Sequence, residues 1–472
     1  MRETPPSTKR RRDRIYYNDL VAERRHERAI GREVRTVEPD RPRGWLDERL
    51  GTHAFFLKFG RKAFPVHSTF FLGEMALFSF VILVVTGVYL GLIYVPSNAD
   101  VDLGQGPLPQ AFASAQLIES IPVANLFRSV HHWCAHLMVA SILLHTVRIF
   151  FTGTYRKPRE LNWVVGVGLL VFTLITSFVG YSLPYDSYSV TATGIGYGIA
   201  RSIPWVGNIA ADLFFGGVFP TLGSLPRLYT IHVFIMPLLI IGGISTHLLI
   251  IIKQKHTQPG YARRLAEPGR VLGVPLWPYQ ALLGAQLLLL MFGGLFLLSA
   301  FVPVHPLDAY GPPGGAAANV KPDWYLMWIY GFLKMIPNSA VLKTRIINVG
   351  PEFIGGVLFP GLIFGLLTLA PWLDRSNRRG QRFEYLEPPT QAPARLAAGI
   401  AVLALIGVMF LAAYYDEIGL RLWMMWVIAI IVPIAAAILA YAFAWSRTPA
   451  EGAKFDPTAA DEEPSLAAVV GD

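Results

Sequence analysis

Eight runs of about 20 mostly apolar residues dominate this sequence, the length a helix rising about 1.5 Å per residue needs to cross a hydrocarbon core about 30 Å thick. They fall at 69–93, 127–150, 161–182, 228–252, 278–301, 352–372, 396–415 and 421–445. Only 15% of the residues are charged, against about 25% in a soluble domain. Lipid offers the backbone no hydrogen-bond partners, so each run has to satisfy its own N–H and C=O groups as a helix. The chain is therefore expected to be an all-α integral membrane protein with eight transmembrane helices. Its one cysteine, Cys134, excludes an intrachain disulfide, a four-cysteine iron–sulfur cluster and a CxxCH haem attachment.

Positive charge divides the connections into two kinds. Those at 151–160, 253–277 and 373–395 carry Arg156, Lys157, Arg159, Arg263, Arg264, Arg375, Arg378 and Arg379, whereas 94–126 and 414–420 contain no Lys or Arg. The positive-inside rule places the basic loops, and with an even number of spans both termini, on the cytoplasmic side of a multi-pass protein. Residues 1–62 hold 17 Lys and Arg against 10 Asp and Glu, so 1–64 reads as a basic cytoplasmic extension. Two four-helix domains, over 65–260 and 261–445, and a cytoplasmic tail over 446–472 follow. The long connections at 183–227 and 302–350 are rich in aromatics, Gly and Pro, which suits short amphipathic helices at the interface. The expected environment is the lipid membrane; no nucleic-acid partner is expected.

Four histidines lie at membrane depth, where an ionisable group is costly and therefore a functional candidate. His131 and His145 are 14 residues apart on the second helix, and His232 and His247 are 15 apart on the fourth. At about 100° per residue, each pair shares a face to within about 40–60° and is separated by about 21–22 Å along the axis. The two helices run in the same direction, so His131 is level with His232 and His145 with His247. Each level offers two imidazoles to one planar metal macrocycle, and imidazole is a good ligand for haem iron. His132 and His136 point about 140° and 180° away from His145 around the helix, and read as packing or hydrogen-bonding residues.

Glycines repeat the 14-residue step on two other helices: Gly73 and Gly87 on the first, Gly166 and Gly180 on the third. A missing side chain lets a flat ring approach the backbone, so the glycines mark the same two depths. Arg128 and Arg148 lie three residues from histidines, near the two surfaces, and suit haem propionates. A proton-relaying transporter is a different class that could carry intramembrane histidines, but the sequence has no repeated halves and no unwound Gly-rich midplane segment.

The segments HHWCAH at 131–136, LLHTVR at 143–148, FVGYSLPY at 178–185, IPWVG at 203–207, LPRLYTIH at 225–232 and PDWY at 322–325 resemble cytochrome b, the membrane core of quinol:cytochrome c reductases, over about residues 65–445. The basic extension, FFTGTYRKPRELNW at 150–163, and PDWY in place of PEWY are most similar to the actinobacterial form. The resemblance implies a bacterial plasma-membrane subunit whose helices 1–4 bundle around two b-type haems, one on His131 and His232 near the outer face and one on His145 and His247 near the inner. It implies menaquinol as substrate, oxidised near the outer face, with one electron leaving to a Rieske iron–sulfur subunit. The other crosses to an inner quinone site, and proton release outside with uptake inside builds a gradient. A cytochrome c subunit, a haem-copper oxidase in a supercomplex and a homodimer of the complex are the further partners it implies. At the outer site Asp323 matches the family's proton-accepting carboxylate, Tyr325 and Tyr181 its aromatic hydroxyls, and Pro322 and Trp324 the rest of the motif.

Two departures stand out. The 15-residue step on the fourth helix, with Pro237 inside it, exceeds the 14-residue mitochondrial step; a proline can kink or rewind a helix, so ligation need not suffer. At the inner quinone site Ile252 stands where mitochondrial relatives have a histidine, and PLWPYQALLG at 275–284 lacks their acid. Glu74, Lys253 and His256 are candidates there by depth.

Overall fold

The computed structural model describes residues 44–447 apart from 53–59, 66, 103, 105, 261, 263–270, 305–306, 308–310, 315–319, 344–347 and 380–381. Most of the basic extension, the tail beyond 447, and Arg263 and Arg264 lie outside the described residues. Eight helices long and apolar enough to cross a membrane are present among those described: α1 Ser68–Gly91, α3 Pro122–Phe151, α4 Glu160–Tyr181, α7 Ser224–Gln254, α8 Leu276–Phe301, α10 Pro351–Asn377, α11 Pro393–Ala412 and α12 Leu422–Arg447. Each expected span has its helix. α3 begins five residues before its apolar stretch, with Pro122 in the first turn, where a missing N–H costs nothing.

Shorter helices fill the long connections. α2 Gln110–Ser120 precedes α3, α5 Ser187–Arg201 and α6 Gly207–Phe215 lie between α4 and α7, and α9 Trp324–Met335 lies between α8 and α10. The Asp186 carboxylate caps α5 by accepting the Ser189 backbone N–H at 2.7 Å. Two-residue strands β1 Ala63–Phe64 and β4 Val274–Pro275 pair antiparallel and tie the start of α1 to the start of α8. β2 Asp100–Asp102 and β3 Pro107–Pro109 form a small hairpin before α2, and β5 Leu342–Lys343 pairs with β6 Asn348–Val349.

α1 packs on α3, α3 on α4 and α4 on α7, which assembles the first bundle; α8 leans on α1 and α3. Midway along the bundle Phe80, Met138 and Ile240 from α1, α3 and α7 form one buried cluster. A second joins Ile82, Val130, Cys134 and Leu295. Outward-facing positions keep large apolar groups, for example Leu290 at 73% and Phe301 at 80% exposure, as lipid contact requires. α11 and α12 form a hairpin against which α9 packs. Near the other end of the molecule Arg395 of α11, 4% exposed in its side chain, bridges Asp374 at 3.0 Å and Glu387 at 2.8 Å, while Arg156 meets Glu387 at 2.9 Å and Tyr155 donates to Asp374 at 2.8 Å. This charge network clamps the α3–α4 loop to the second group of helices.

The surplus residue of the fourth span has a local explanation. Within α7, Ile231–Ile235 forms a π turn, and the Met236 N–H closes a bond to Ile231 C=O five residues back. A π turn takes up one residue more than an α turn. Pro237, whose nitrogen has no hydrogen to donate, follows at once. The 15-residue step is thereby converted into the facing of a 14-residue one.

Candidate functional site

The first level of the bundle is built by α1, α3, α4 and α7. His131 and His232 face one another with ring centroids 6.3 Å apart and planes at 67°. Thr86 Oγ1 donates to Ile82 C=O at 2.8 Å, so it accepts from His131 Nδ1–H at 2.8 Å. His232 Nδ1 sits 2.9 Å from the Thr176 carbonyl, which only accepts, so it too carries its proton on Nδ1. Both rings therefore keep the Nε2 lone pair free. Fixing one imidazole nitrogen by an outer hydrogen bond so that the other can ligate is how metal-binding histidines are oriented. Two bonds of about 2 Å plus half a ring on either side span about 6 Å, which matches the separation.

The second level holds His145 and His247. Both line a cavity of about 300 Å³ together with Gly73, Gly166 and Arg148. Their Nδ1 atoms are buried without a hydrogen-bond partner. Arg148 Nε donates to Thr69 Oγ1 at 3.2 Å and its guanidinium lies 4.4 Å over the Phe70 ring, yet its Nη2 is buried and unpartnered, as an anion's seat would be. Arg128 lies 3.9 Å from Glu119 near the first level.

The four glycines pair one to one with the four histidines. A Cβ would stand 3.2 Å from His131 Cε1 if built on Gly87, 3.3 Å from His145 Cε1 on Gly73, 3.4 Å from His247 Cε1 on Gly166 and 2.5 Å from His232 Cε1 on Gly180. Each glycine thus admits the edge of one imidazole ring. These distances make a graded expectation. Gly180→Ala collides with a ring already held by Thr176 and should lower binding at the first level, whereas Gly166→Ala meets ordinary contact and should leave haem content and midpoint potentials unchanged. A redox titration of both variants checks this; equal behaviour would separate the glycines from the ligands.

No cluster of three or more His, Cys, Asp and Glu able to hold a bare metal ion occurs among the described residues. Two imidazoles per level leave the remaining ligands to a macrocycle, and the residues present fit a b-type haem at each level.

The PDWY segment caps α9. Asp323 is the N-cap residue, but its carboxylate makes no capping bond and instead accepts the Tyr325 O–H at 2.8 Å. Burial, then the Asp323 charge, holds the Tyr325 hydroxyl well above its ordinary value, so it stays a donor. Beside the segment lies a cavity of about 540 Å³, lined by Tyr181, Pro322, Phe178, Leu326, Tyr330 and Gly356 among others. Tyr181 and Pro322 line this cavity; Asp323 and Tyr325 do not. Trp324 belongs elsewhere: its Nε1–H donates to His136 Nδ1 at 2.9 Å.

Sequence reasoning missed two residues around this segment. His136, read there for packing or hydrogen bonding, touches the motif directly, and Tyr188 of α5 donates to Lys321 C=O at 2.8 Å. The i, i+4 spacing of His132 and His136 was the available signal. Of the candidates at the other end, Glu74 and His256 line the 300 Å³ cavity and Lys253 does not. Glu74 accepts from Gln280 at 2.6 Å and keeps its other oxygen buried and unpartnered. Burial, then the cations Lys62, Arg159 and Arg148, pushes His256 down to about 4, so it is neutral near pH 7.

Known proteins share this architecture. Residues 136–312 match the family model described as cytochrome b (N-terminal)/b6/petB, which starts five residues after His131, and 313–427 match cytochrome b (C-terminal)/b6/petD. The cytochrome bc1 complex cytochrome b subunit of Streptomyces coelicolor is 35% identical over 409 residues, covering 80% of this chain and 73% of that protein. The subunit of the same name from Mycobacterium tuberculosis is 35% identical over 397 residues, covering 80% and 70%. Among solved structures, a chain of a hyperthermophilic respiratory Complex III superposes with a TM-score of 0.60 at 24% identity, over 84% of this chain and 99% of that one, which establishes the likeness of fold.

Proposed function

This chain belongs to the cytochrome b family, and on that premise we propose that it is the dihaem subunit of a bacterial cytochrome bc1 complex that oxidises menaquinol near the outer membrane face. The observation that carries this reading is the pairing of four histidines with four glycines at two levels of one bundle. Two b haems, held by His131 with His232 and by His145 with His247, supply one-electron carriers at the outer and inner levels. Arg128 and Arg148 hold their anionic edges.

The protein's own groups handle substrate and protons. The apolar cavity beside Pro322 and Tyr181 takes the quinol ring and excludes water. Asp323, an acceptor already aimed by the Tyr325 hydroxyl, takes a quinol proton. The electrons leave toward a Rieske iron–sulfur partner and toward an inner quinone site, where Glu74 is the acid nearest the second level. A cytochrome c subunit, a haem-copper oxidase and a second copy of the complex complete the assembly, with both termini of this chain in the cytoplasm.

The test is a pyridine haemochrome assay on the complex purified from membranes, with quinol oxidation measured alongside. Two b haems per chain are expected. Correctly folded material without haem would overturn the reading.

A further inference from the structure

We infer that His136 is a positioning residue for the quinol-oxidising segment, holding Trp324, and through it the start of α9, against the helix that carries the outer-level ligand. The inference rests on the function proposed above and adds a residue that the PDWY resemblance does not contain.

The chemistry of the bond defines the state of His136. An indole N–H can only donate, so His136 Nδ1, 2.9 Å away, must present a lone pair. The ring is then neutral with its proton on Nε2, and that proton points to His132 Nε2 at 3.1 Å. Trp324, His136 and His132 form one directed chain of donors. Trp324 is 38% exposed, so packing alone does not fix its ring.

Several bonds hold the segment among the described residues, Lys321 Nζ to Glu417 and the Tyr325 hydroxyl to Asp323 included. Trp328 Nε1–H donates to Tyr325 C=O at 2.9 Å from within α9, and Tyr188 of α5 holds Lys321 C=O. Of these, the His136 bond is the one that reaches α3, five residues from His131. The Tyr325 ring also lies 6.0 Å from the His136 ring. The bond between Trp324 and His136 therefore sets how the proton-accepting Asp323–Tyr325 pair stands relative to the outer level.

The experiment uses the whole complex purified from membranes, with a soluble menaquinol analogue as the varied substrate. His136→Leu removes the acceptor at similar volume and should lower kcat, and with it kcat/KM, about tenfold, the scale of one lost hydrogen bond. Both haems should remain. His136→Asn, whose amide oxygen sits near the place of Nδ1, should restore kcat/KM to within about twofold of wild type. Trp324→Phe, which removes the donor and leaves α3 untouched, should show the same loss and decides the matter if the leucine variant fails to assemble. Wild-type kinetics in His136→Leu or Trp324→Phe would overturn the inference while leaving the proposed function standing. An asparagine variant as impaired as the leucine one would overturn it too. A wild-type complex unable to oxidise quinol would overturn both.

Discussion

Replacing His131 by leucine leaves one b haem per chain, the inner one, and brings quinol oxidation to background. Leucine fits a helix as well as histidine does and supplies no metal ligand. Its neighbours remain satisfied: Thr86 keeps its bond to Ile82 C=O, and His232 keeps Thr176. The bundle should therefore fold, with one imidazole left at the outer level. A single axial ligand holds haem poorly in a site shaped for two, while His145 and His247 lie a full 14 to 15 residues further along and share no hydrogen bond with the changed position. His145→Leu should show the converse. The measurement is haem content with a low-temperature spectrum resolving the two α-bands. Two haems retained in His131→Leu would refute the ligand assignment, and loss of both in each variant would refute two independent levels.

The second large effect is Asp323→Asn, which should lower kcat for quinol oxidation about 100-fold with haem content intact, the usual range for losing a general base. Asparagine is nearly isosteric and its amide oxygen can still accept the Tyr325 O–H, so the segment keeps its shape. What disappears is the capacity to take a proton. KM should change little, because the cavity is lined by Tyr181, Pro322 and apolar side chains rather than by Asp323 itself. An unchanged kcat would remove Asp323 from the reaction and turn attention to Tyr181 and Tyr330, which reach the cavity.

Much of this is legible in the sequence itself. Lipid imposes helix length and forbids unsatisfied backbone, so the eight spans could be read from apolar runs alone. The two levels followed from helical arithmetic on His131, His145, His232 and His247, and Gly73, Gly87, Gly166 and Gly180 carried the same step. What escapes is which side chains meet outside those two levels. His136 and Trp324 are 188 residues apart, and no periodicity on α3 points to α9. Arg395 with Asp374 and Glu387 is equally invisible, since nothing in the order of charges along 373–395 says which of them pair. The spacing of Gly73, Gly87, Gly166 and Gly180 reports their depth, whereas the histidine ring beside each of them is visible only in the fold.

The wide turn at Ile231–Ile235 has a consequence for how such chains diverge. An insertion inside a helix ordinarily rotates everything beyond it by about 100°, which would swing His247 off its partner. Housing the added residue in one loosened coil next to a ring-nitrogen amide cancels that rotation at its source. The facing of His232 and His247 is thus insulated from changes in segment length. Two lineages can differ by a codon between the same pair of histidines and still present them to the same neighbour.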